Sequence, residues 1–449
     1  MATPNFFPAS SRGAIPHISQ DMMRDHMSVH SMYTAAEDSD SSALWSLQDI
    51  EKAPVEMPPV YDFPATRDES PLRKFIALQK ETLLVLGPRR ISPLPCPASS
   101  TSTSIGIVTS LGFSMLECGV YVQAIQKLRP DIVLGMGDVL YGHQPGVRRA
   151  ERMGDRTQSW LNALVAGMND VEEGTPNTAL FAPILPLEAE KQRWYLGALE
   201  DDLHDHISGL VLHEIESADD VPDSLSLLPR LYLGEAKDPH ELLHAIEAGL
   251  DIFTIPFINE ASDAGLALDF SFVRLSDASQ DDPRPLALDL WSISYATDIS
   301  PLSKDCNCYT CTYHHRAFIY HLLSTREMLS WVLLQLHNYH IMGEFFAQVR
   351  QSIMRHTFGE DKLAFGNAFE QKLPTKTGQG PRIRGYQTKS EGKGEPRQNP
   401  KAYRSLNEQS RKLSEAAPLS QTAGAVDLEQ LGFAQMFEDP ETSADVGKG

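Results

Sequence analysis

The sequence predicts an α/β protein built as a (β/α)8 TIM barrel. Short β-rich runs alternate with helical patterns from the first residues to about Phe358, which is the rhythm of repeated strand–helix units around a parallel sheet. About eight such runs spread over roughly 290 residues, a length that fits a closed barrel. No G-x-G-x-x-G turn follows any of these runs, so the pattern favours the barrel over a doubly wound dinucleotide-binding sheet.

The segment 238–249 carries sequence signals for both ends of a helix. Asp238 is placed to cap a helix, Pro239 suits its first turn and Gly249 suits its end. The polar segments 38–70 and 212–226 interrupt the rhythm and are expected to be surface loops. The candidate strands are residues 105–109, 131–135, 179–184, 209–213, 230–233, 251–255 and 286–290.

The charge balance limits the classes of partner. Lysine and arginine number 39 against 60 aspartates and glutamates, which gives a formal net charge of -21. Because phosphate binding needs a basic surface, the chain is not expected to bind nucleic acid by itself. Any contact with RNA must be local or shared with another chain.

Targeting signals and cysteine usage point to one kind of compartment. No apolar run of about 18 residues exists, and the first residues lack the cationic and apolar halves of a secretory signal. The five cysteines do not form a disulfide framework and suit a reducing environment. We therefore expect a soluble, cytoplasmic protein in which Cys96 and Cys118 are plain buried thiols.

Three cysteines stand within six residues of one another. Cys306, Cys308 and Cys311 form a C-x-C-x2-C motif on one tight loop, so their thiolates can converge on a single ion. Thiolate ligands in a tetrahedral arrangement are typical of zinc. The motif therefore predicts one zinc ion, and this ion needs a fourth ligand.

The fourth ligand is expected from a helix further along the chain. Residues 324–327 (Ser-Thr-Arg-Glu) read as a capping box that opens a long helix to about Ser352, and His337 lies on that helix. His337 would complete a closed Cys3His site with no position left for water, and closed sites are structural. The other histidines that compete for this place are His314, His315 and His340.

The chain divides into three parts on these criteria. Residues 1–300 are expected to form the barrel body, and residues 301–358 a zinc-binding subdomain with closing helices near the C-terminus. Residues 359–449 are expected to be a polar, mostly disordered C-terminal tail. From about Gln371 the sequence is Gly/Pro-rich and locally basic, and it lacks the apolar surface needed to offset its ordering entropy.

The cysteine motif, followed along a helix by His337-Asn338, is similar to the zinc region of the tRNA-guanine transglycosylase family. The resemblance covers roughly residues 1–358 and implies a (β/α)8 barrel with a zinc-binding insertion near its C-terminus. It also implies base exchange at the wobble position of tRNA anticodons. The other matching stretches are residues 3–4, 16–19, 130–133, 208–210, 229–234, 249–253, 301–302 and 316–323.

The positions that carry chemistry in active family members are altered in this sequence. The segment matching residues 251–253 is followed in active members by a nucleophilic aspartate, and here that position is Thr254. A threonine hydroxyl with no adjacent base is a poor substitute for a carboxylate, which is already ionised at neutral pH. The family's D-S-G-G-F-Q stretch has no counterpart between residues 86 and 107, and its base-reading Q-G-G falls on residues 185–187 (Leu-Pro-Leu).

Two further positions of the base pocket differ as well. His213 replaces the second glycine of the family's G-L-x-x-G-E, and the recognition aspartate aligns with Gly137. Asp138 stands one place away and is a candidate for a displaced remnant of that aspartate. The losses together indicate that the chain has no catalytic residues of its own.

The resemblance therefore implies a non-catalytic member of the family. Such a member pairs one-to-one with a catalytic queuine tRNA-ribosyltransferase subunit, and the heterodimer exchanges guanine for queuine in tRNA. Each subunit holds one zinc ion, and tRNA is bound through the complex. Peripheral association with the mitochondrial outer membrane is also compatible with the resemblance.

Two other classes of function stay open at this point. The first is an independent zinc-dependent enzyme with an open metal position and a general base such as Glu327 or Glu344. The second is an RNA-binding scaffold, which only the basic segment 372–412 supports.

Overall fold

The computed structural model describes most of the chain between residues 63 and 381 and a few short stretches outside it. The central region is described except for residues 67, 90, 92–99, 110–111, 141–144, 170–177, 273–282, 376 and 379. Residues 4–7, 22–23, 27 and 31–35 are described before it, and 388–389 and 397–398 after it. Cys96, most of the predicted loop 38–70 and most of the predicted tail lie outside the described residues.

A single parallel sheet organises the molecule, with the strand order β1-β10-β9-β8-β7-β6-β3-β2. Every neighbouring pair in this order is parallel. Parallel neighbours require crossover connections, and helices supply most of them. The eight strands are β1 (Asn5–Phe7), β2 (Ser31–Ala35), β3 (Leu83–Gly87), β6 (Ile132–Leu134), β7 (Ala179–Pro183), β8 (Gly209–Leu212), β9 (Arg230–Tyr232) and β10 (Ile252–Thr254).

Two of the seven predicted strands exist but lie outside the parallel sheet. The run at 105–109 is part of β4 (Ser104–Thr109), which forms an antiparallel hairpin with β5 (Gly112–Glu117). The run at 286–290 contains β12 (Ala287–Asp289), which pairs antiparallel with β11 (Leu266–Leu268). An apolar run predicts a strand but not its partner, which explains the difference. A two-residue pair, β13 (Thr388–Lys389) and β14 (Arg397–Gln398), follows.

Ten α-helices are described. The helix predicted after Asp238 is confirmed, because the Asp238 side chain accepts a hydrogen bond from the Glu241 backbone N–H at 3.0 Å. Gly249 follows this helix with a φ of +88°, a conformation that favours glycine. The helices are α1 (Pro71–Phe75), α2 (Cys118–Leu128), α3 (Val147–Asn169), α4 (Ala189–Asp201), α5 (Pro239–Glu247), α6 (Phe257–Ala264), α7 (Tyr309–Tyr313), α8 (Arg316–Thr325), α9 (Met328–Met354) and α10 (Phe358–Ala368).

Helix α9 spans both of the larger hydrophobic clusters. Its first half contributes Trp331 and Leu333 to a cluster with residues of β11 and α8. Its second half contributes Phe346 to the main core, where the Phe346 ring lies 5.1 Å from Phe6 of β1 and 5.9 Å from Phe253 of β10. A 27-residue helix therefore connects the region of the cysteine motif to the sheet.

The predicted start of this long helix is wrong. Ser324 and Thr325 end α8 instead of capping α9, and their hydroxyls donate back to the carbonyl oxygens of Tyr320 and His321 at 2.8 and 3.0 Å. Such back-bonding competes with the capping geometry that a Ser/Thr-x-x-Glu pattern predicts. Arg326 then adopts a left-handed φ of 57°, and α9 begins at Met328.

The folded part continues into the segment that was predicted as tail. Helix α10 begins at Phe358, and Phe365 and Phe369 are buried in the main core. Beyond it, the Thr377 hydroxyl donates to the Asp289 carboxylate, and a Cβ at Gly378 would overlap the Trp291 indole. The polar composition of residues 359–381 concealed these contacts. No helix among the described residues is long and apolar enough to cross a membrane.

The predicted tail contains a segment that packs on the fold, up to Pro381, and the residues that follow it, and truncation should distinguish the two. Ending the chain after Phe369 should lower the free energy of unfolding by about 1–3 kcal/mol, because the cover over Trp291 is lost. Ending it after Pro381 should leave that free energy unchanged. Chemical denaturation of both truncated chains and the full chain measures the difference, and equal midpoints for the two truncations would contradict the docking of residues 370–381.

Candidate metal centre

The cysteine motif lies on a loop that runs directly into a short helix. Asp305 enters this loop with a left-handed φ of 64°, which turns the chain sharply before Cys306. Cys308 is the N-cap of α7, and its sulfur accepts a hydrogen bond from the Cys311 backbone N–H at 3.3 Å. The cap residue Cys308 and the helical residue Cys311 therefore present two of the three thiols on the same side of α7.

These three thiols and His337 converge on one point. All four potential ligand atoms lie within 4.8 Å of one another. The His337 Nδ1 is 3.9 Å from the Cys306 Sγ, 3.5 Å from the Cys308 Sγ and 3.4 Å from the Cys311 Sγ. A tetrahedral ion with metal–sulfur bonds of about 2.3 Å and a metal–nitrogen bond of about 2.0 Å separates its ligands by ~3.5 Å. The cluster therefore has the size of a Cys3His site and could hold a metal ion.

The orientation of the His337 ring is fixed by a hydrogen bond on its far side. His337 is completely buried, and its Nε2 lies 2.8 Å from the Leu268 carbonyl oxygen. This contact requires the proton to be on Nε2, which leaves the Nδ1 lone pair facing the thiols. Metal-binding histidines are generally oriented by such a second hydrogen bond.

Asn338, the next residue on α9, binds the backbone of β11, the strand that contains Leu268. Its side-chain oxygen accepts from the Leu268 backbone N–H at 2.8 Å, while its Nδ2 donates to the Ser262 hydroxyl at 2.9 Å and to the Leu266 carbonyl at 3.0 Å. The Leu268 peptide is thus bound on both sides by two consecutive residues of α9. This arrangement sets the position of His337 relative to the cysteine loop.

Electrostatics within the cluster show why a cation would be stabilised there. Hydrogen bonds from Cys308 and Cys311 hold the pKa of the Cys306 thiol well below its usual range. Hydrogen bonding to Cys306 and Cys311 raises the pKa of the Cys308 thiol. Burial lowers the pKa of His337, but the Cys306 and Cys311 sulfurs outweigh burial and raise it to about 10. Without an ion, negative charge on sulfur is therefore balanced by a proton on His337. A divalent cation would replace that proton.

The competing histidines occupy other places. His314 stacks on the Phe318 ring at 5.0 Å, and His315 caps α8 by accepting the Phe318 backbone N–H at 3.1 Å. His340 contributes a hydrogen bond that lowers the pKa of Cys306, yet it is outside the four-residue cluster. His337 is therefore the histidine that the fold brings to the three cysteines.

Comparison with known proteins supports the resemblance seen in these residues. The family described as queuine tRNA-ribosyltransferase (TGT) matches residues 1–371.

The chain belongs to this family.

Three curated relatives that match this chain carry the same description. "Queuine tRNA-ribosyltransferase accessory subunit 2" of Schizosaccharomyces pombe is 33% identical over 392 residues, covering 86% of this chain and 83% of the relative. The protein of the same name from Anopheles gambiae is 26% identical over 401 residues, covering 83% and 88%. That of Drosophila melanogaster is 27% identical over 276 residues, covering 56% and 62%.

Thr254, which the resemblance places at the nucleophile position, lies at the carboxyl end of β10. Thr254 is completely buried, and its hydroxyl makes one long contact of 3.4 Å to the Tyr232 carbonyl oxygen. Nearby, burial and Arg89 lower the pKa of His213 to about 4, so this histidine is neutral at pH 7. Leu185 and Leu187, which the resemblance aligns with the base-reading segment, are buried in a small cluster with Val139.

Asp138 is engaged by the protein itself. Its carboxylate is completely buried, with the Arg149 Nη2 at 2.6 Å from one oxygen and the Arg156 Nη1 at 3.1 Å from the other. The Asp138 backbone N–H donates to the Thr157 hydroxyl at 3.1 Å. Both carboxylate oxygens therefore have intramolecular partners, and Asp138 serves as the anchor of α3 on the turn after β6.

Sequence reasoning did not find the groups that support the metal centre. Asn338 was noted only as half of a family motif, and the Leu268 peptide has no sequence signal because it acts through its backbone. The pairing of Asp138 with Arg149 and Arg156 was also missed, although arginines seven residues apart on one helix face could have indicated it.

Replacing Cys308 by serine should release the metal and lower the free energy of unfolding by more than about 4 kcal/mol, because metal-binding energy at a closed site is folding energy. Cys118→Ser is the matched control, since that buried thiol lies outside the cluster and contacts the Trp160 carbonyl oxygen. Elemental analysis and thermal melting of both variants measure the effect. Unchanged metal content in Cys308→Ser would refute the assignment.

Proposed function

We propose that this chain is the non-catalytic subunit of a heterodimeric queuine tRNA-ribosyltransferase, which exchanges guanine for queuine at the wobble position of tRNA anticodons. The observation that carries the proposal is a complete Cys3His cluster in a chain that has a buried threonine at the proposed nucleophile position and whose curated relatives are named accessory subunit 2. The chain thus contributes to tRNA queuosine modification through a catalytic partner.

The absence of catalysis in this subunit follows from the chemistry of Thr254. A hydroxyl needs a general base to become a nucleophile, and the contact of the Thr254 hydroxyl that the structure gives is to a carbonyl oxygen. The hydroxyl is also inaccessible to a ribose carbon, because the side chain is completely buried. Asp138, the candidate remnant of the recognition aspartate, has both carboxylate oxygens paired with arginines of this chain and is not free to read a base.

The ion in the cluster is proposed to be zinc, held by Cys306, Cys308, Cys311 and His337. Three thiolates and one imidazole suit zinc, and four protein ligands leave no coordination position for water. When bound, the ion supplies structural stability by joining the cysteine loop to α9. An independent zinc enzyme would need a carboxylate base close by, whereas Glu327 and Glu344 are exposed and do not belong to the cluster.

We extend the proposal to the architecture. A closed (β/α)8 barrel is supported by the proximity of the two edge strands, since β1 and β2 contain residue pairs with Cα atoms within 8 Å. The barrel body would comprise residues 1–300, and the zinc-binding subdomain would follow from residue 301. The segment from residue 359 to Pro381 would belong to the folded body in place of the tail, because described residues of this segment pack on the fold.

The partner is proposed to bind near the zinc-binding subdomain. That region exposes large apolar side chains, including Tyr313 at 69% and Ile299 at 81% of their surface, whereas isolated proteins rarely leave such side chains clustered in solvent. Symmetry-related or homologous subunits pair through such apolar surfaces. We expect the complex to be cytoplasmic, with any contact with the mitochondrial outer membrane being peripheral. The basic segment 372–412 would at most assist tRNA binding.

The heterodimer gives the direct test. Mixed with a purified catalytic subunit, this chain should form a one-to-one complex by light scattering and should be required for full queuine incorporation into tRNA. Tyr313→Glu should weaken the complex at least tenfold without metal loss, while Leu363→Glu, an equally exposed side chain on α10, should not. Full activity of the catalytic subunit alone, with no larger species in the mixture, would reject the proposal.

Two substitutions at Thr254 test the non-catalytic assignment. Thr254→Val keeps the shape and removes the hydroxyl, so queuine incorporation by the heterodimer should stay within about twofold. Thr254→Asp should place an unpaired carboxylate in a buried site, which destabilises the chain by about 2 kcal/mol or more and creates no base exchange. Loss of activity in Thr254→Val, or guanine exchange by isolated Thr254→Asp, would contradict the assignment.

A further inference from the structure

The first three turns of α3 carry an unusual density of positive charge for an acidic chain. Four arginines, 148, 149, 152 and 156, occur with two carboxylates, Glu151 and Asp155, within the ten residues 147–156 of a protein with a net charge of -21. At 100° per residue these four side chains fall within about a 100° arc of the helix. They therefore share one face.

This face lies at the carboxyl edge of the parallel sheet. Helix α3 follows β6 along the chain, and the turn after β6 is bound to it through Asp138. Arg89, which follows β3, adds a fifth guanidinium group near the same turn, since its Nη1 donates to the Gly137 carbonyl oxygen at 3.2 Å. In barrels and open parallel sheets ligands bind at this edge.

The arginines divide into two pairs with different partners. Arg149 and Arg156 are partly buried and bind Asp138, so their positions are fixed by the fold. Arg148 and Arg152 are exposed, and neither forms an ion pair with any residue that the structure describes. The Arg152 Nε donates a hydrogen bond to the Arg148 carbonyl oxygen at 3.0 Å.

Like charges at this spacing oppose each other. Arg148, Arg152 and Arg156 follow one another at intervals of four residues, a spacing that destabilises a helix when the charges are alike. Arg149 also experiences this repulsion, because its pKa is lowered by burial and further by Arg156 and Arg152. Three carboxylates, those of Asp138, Glu151 and Asp155, offset most of this charge and leave a small positive excess on the helix. An anion bound at Arg148 and Arg152 would compensate that excess.

We infer that the arginine face of α3, with Arg148 and Arg152 as its contact residues, binds the phosphate backbone of RNA. The inference rests on the proposed function and assigns to this subunit its own contact with tRNA. The row from residue 148 to residue 156 extends about 12 Å along the helix axis. That length exceeds one phosphate group and suits a chain of phosphates, while guanidinium forks match phosphate oxygens geometrically.

The test uses the full heterodimer and the double variant Arg148→Gln/Arg152→Gln. Both side chains are exposed and outside the Asp138 ion pairs, so the substitutions should not affect folding. The matched control is Arg355→Gln/Lys362→Gln, which removes the same charge from two residues that already pair with Asp361 and Glu247 of this chain. Fluorescence anisotropy with tRNA at several salt concentrations gives the dissociation constant and its salt dependence.

The arginine variant should bind tRNA at least about tenfold more weakly at ~0.1 M salt, and the slope of log Kd against log salt should fall by about 1.5 to 2. The control variant should match the unmodified heterodimer. In the exchange assay the KM for tRNA should rise while kcat stays unchanged, because phosphate contacts position the substrate and take no part in the chemistry.

Three outcomes would overturn the inference. The first is an unchanged affinity and salt slope in a heterodimer that still forms and incorporates queuine, a result that leaves the proposed function intact. The second is weaker pairing with the catalytic subunit in place of weaker tRNA binding, which would mark the arginine face as a protein interface. The third is competition by low-millimolar inorganic phosphate at matched ionic strength, which would mark a small-anion site.

Discussion

The backbone N–H and carbonyl oxygen of Leu268 are held by Asn338 and His337, and the geometry of the Cys3His cluster depends on this constraint. His337 binds the carbonyl oxygen at 2.8 Å and Asn338 binds the N–H at 2.8 Å. Both residues are completely buried, so leaving either group without its partner would cost the full desolvation penalty. The pairing fixes β11 against α9 and points the free nitrogen of His337 toward the three thiols.

The same helix transmits this order to the rest of the molecule. Helix α9 passes from the cluster around Trp331 to the main core around Phe346, where it contacts the neighbouring strands β1 and β10. Near its end the Arg350 guanidinium donates to the Pro4 carbonyl oxygen at 2.9 Å, which ties the N-terminal strand to it. An element with contacts at both ends cannot shift at the metal centre without disturbing the strands.

The sequence was informative where chemistry is local and uninformative where partners are distant. The C-x-C-x2-C spacing and the Asp238 cap each depend on neighbours within a few residues, and the structure brings both together as expected. The pairing of β4 with β5, the end of α8 at Ser324 and the docking of Thr377 on Asp289 depend on tertiary contacts that no local pattern encodes. Asp138 belongs to the second group, because its arginine partners lie 11 and 18 residues away.

The proposed non-catalytic role is compatible with a complete Cys3His cluster, because its four residues have a structural use that does not require catalysis. His337 is one turn from Leu333 and Leu334, which belong to a buried cluster, and it is adjacent to Asn338, which holds β11. Without an ion, one buried thiol, two partly buried thiols and a buried imidazole would lack a common charge partner, so the requirement for a stable fold is sufficient to explain all four residues. The proposed roles of Tyr313, Arg148 and Arg152 differ, because these side chains are exposed and a change there would alter binding while leaving the stability of the fold nearly unchanged.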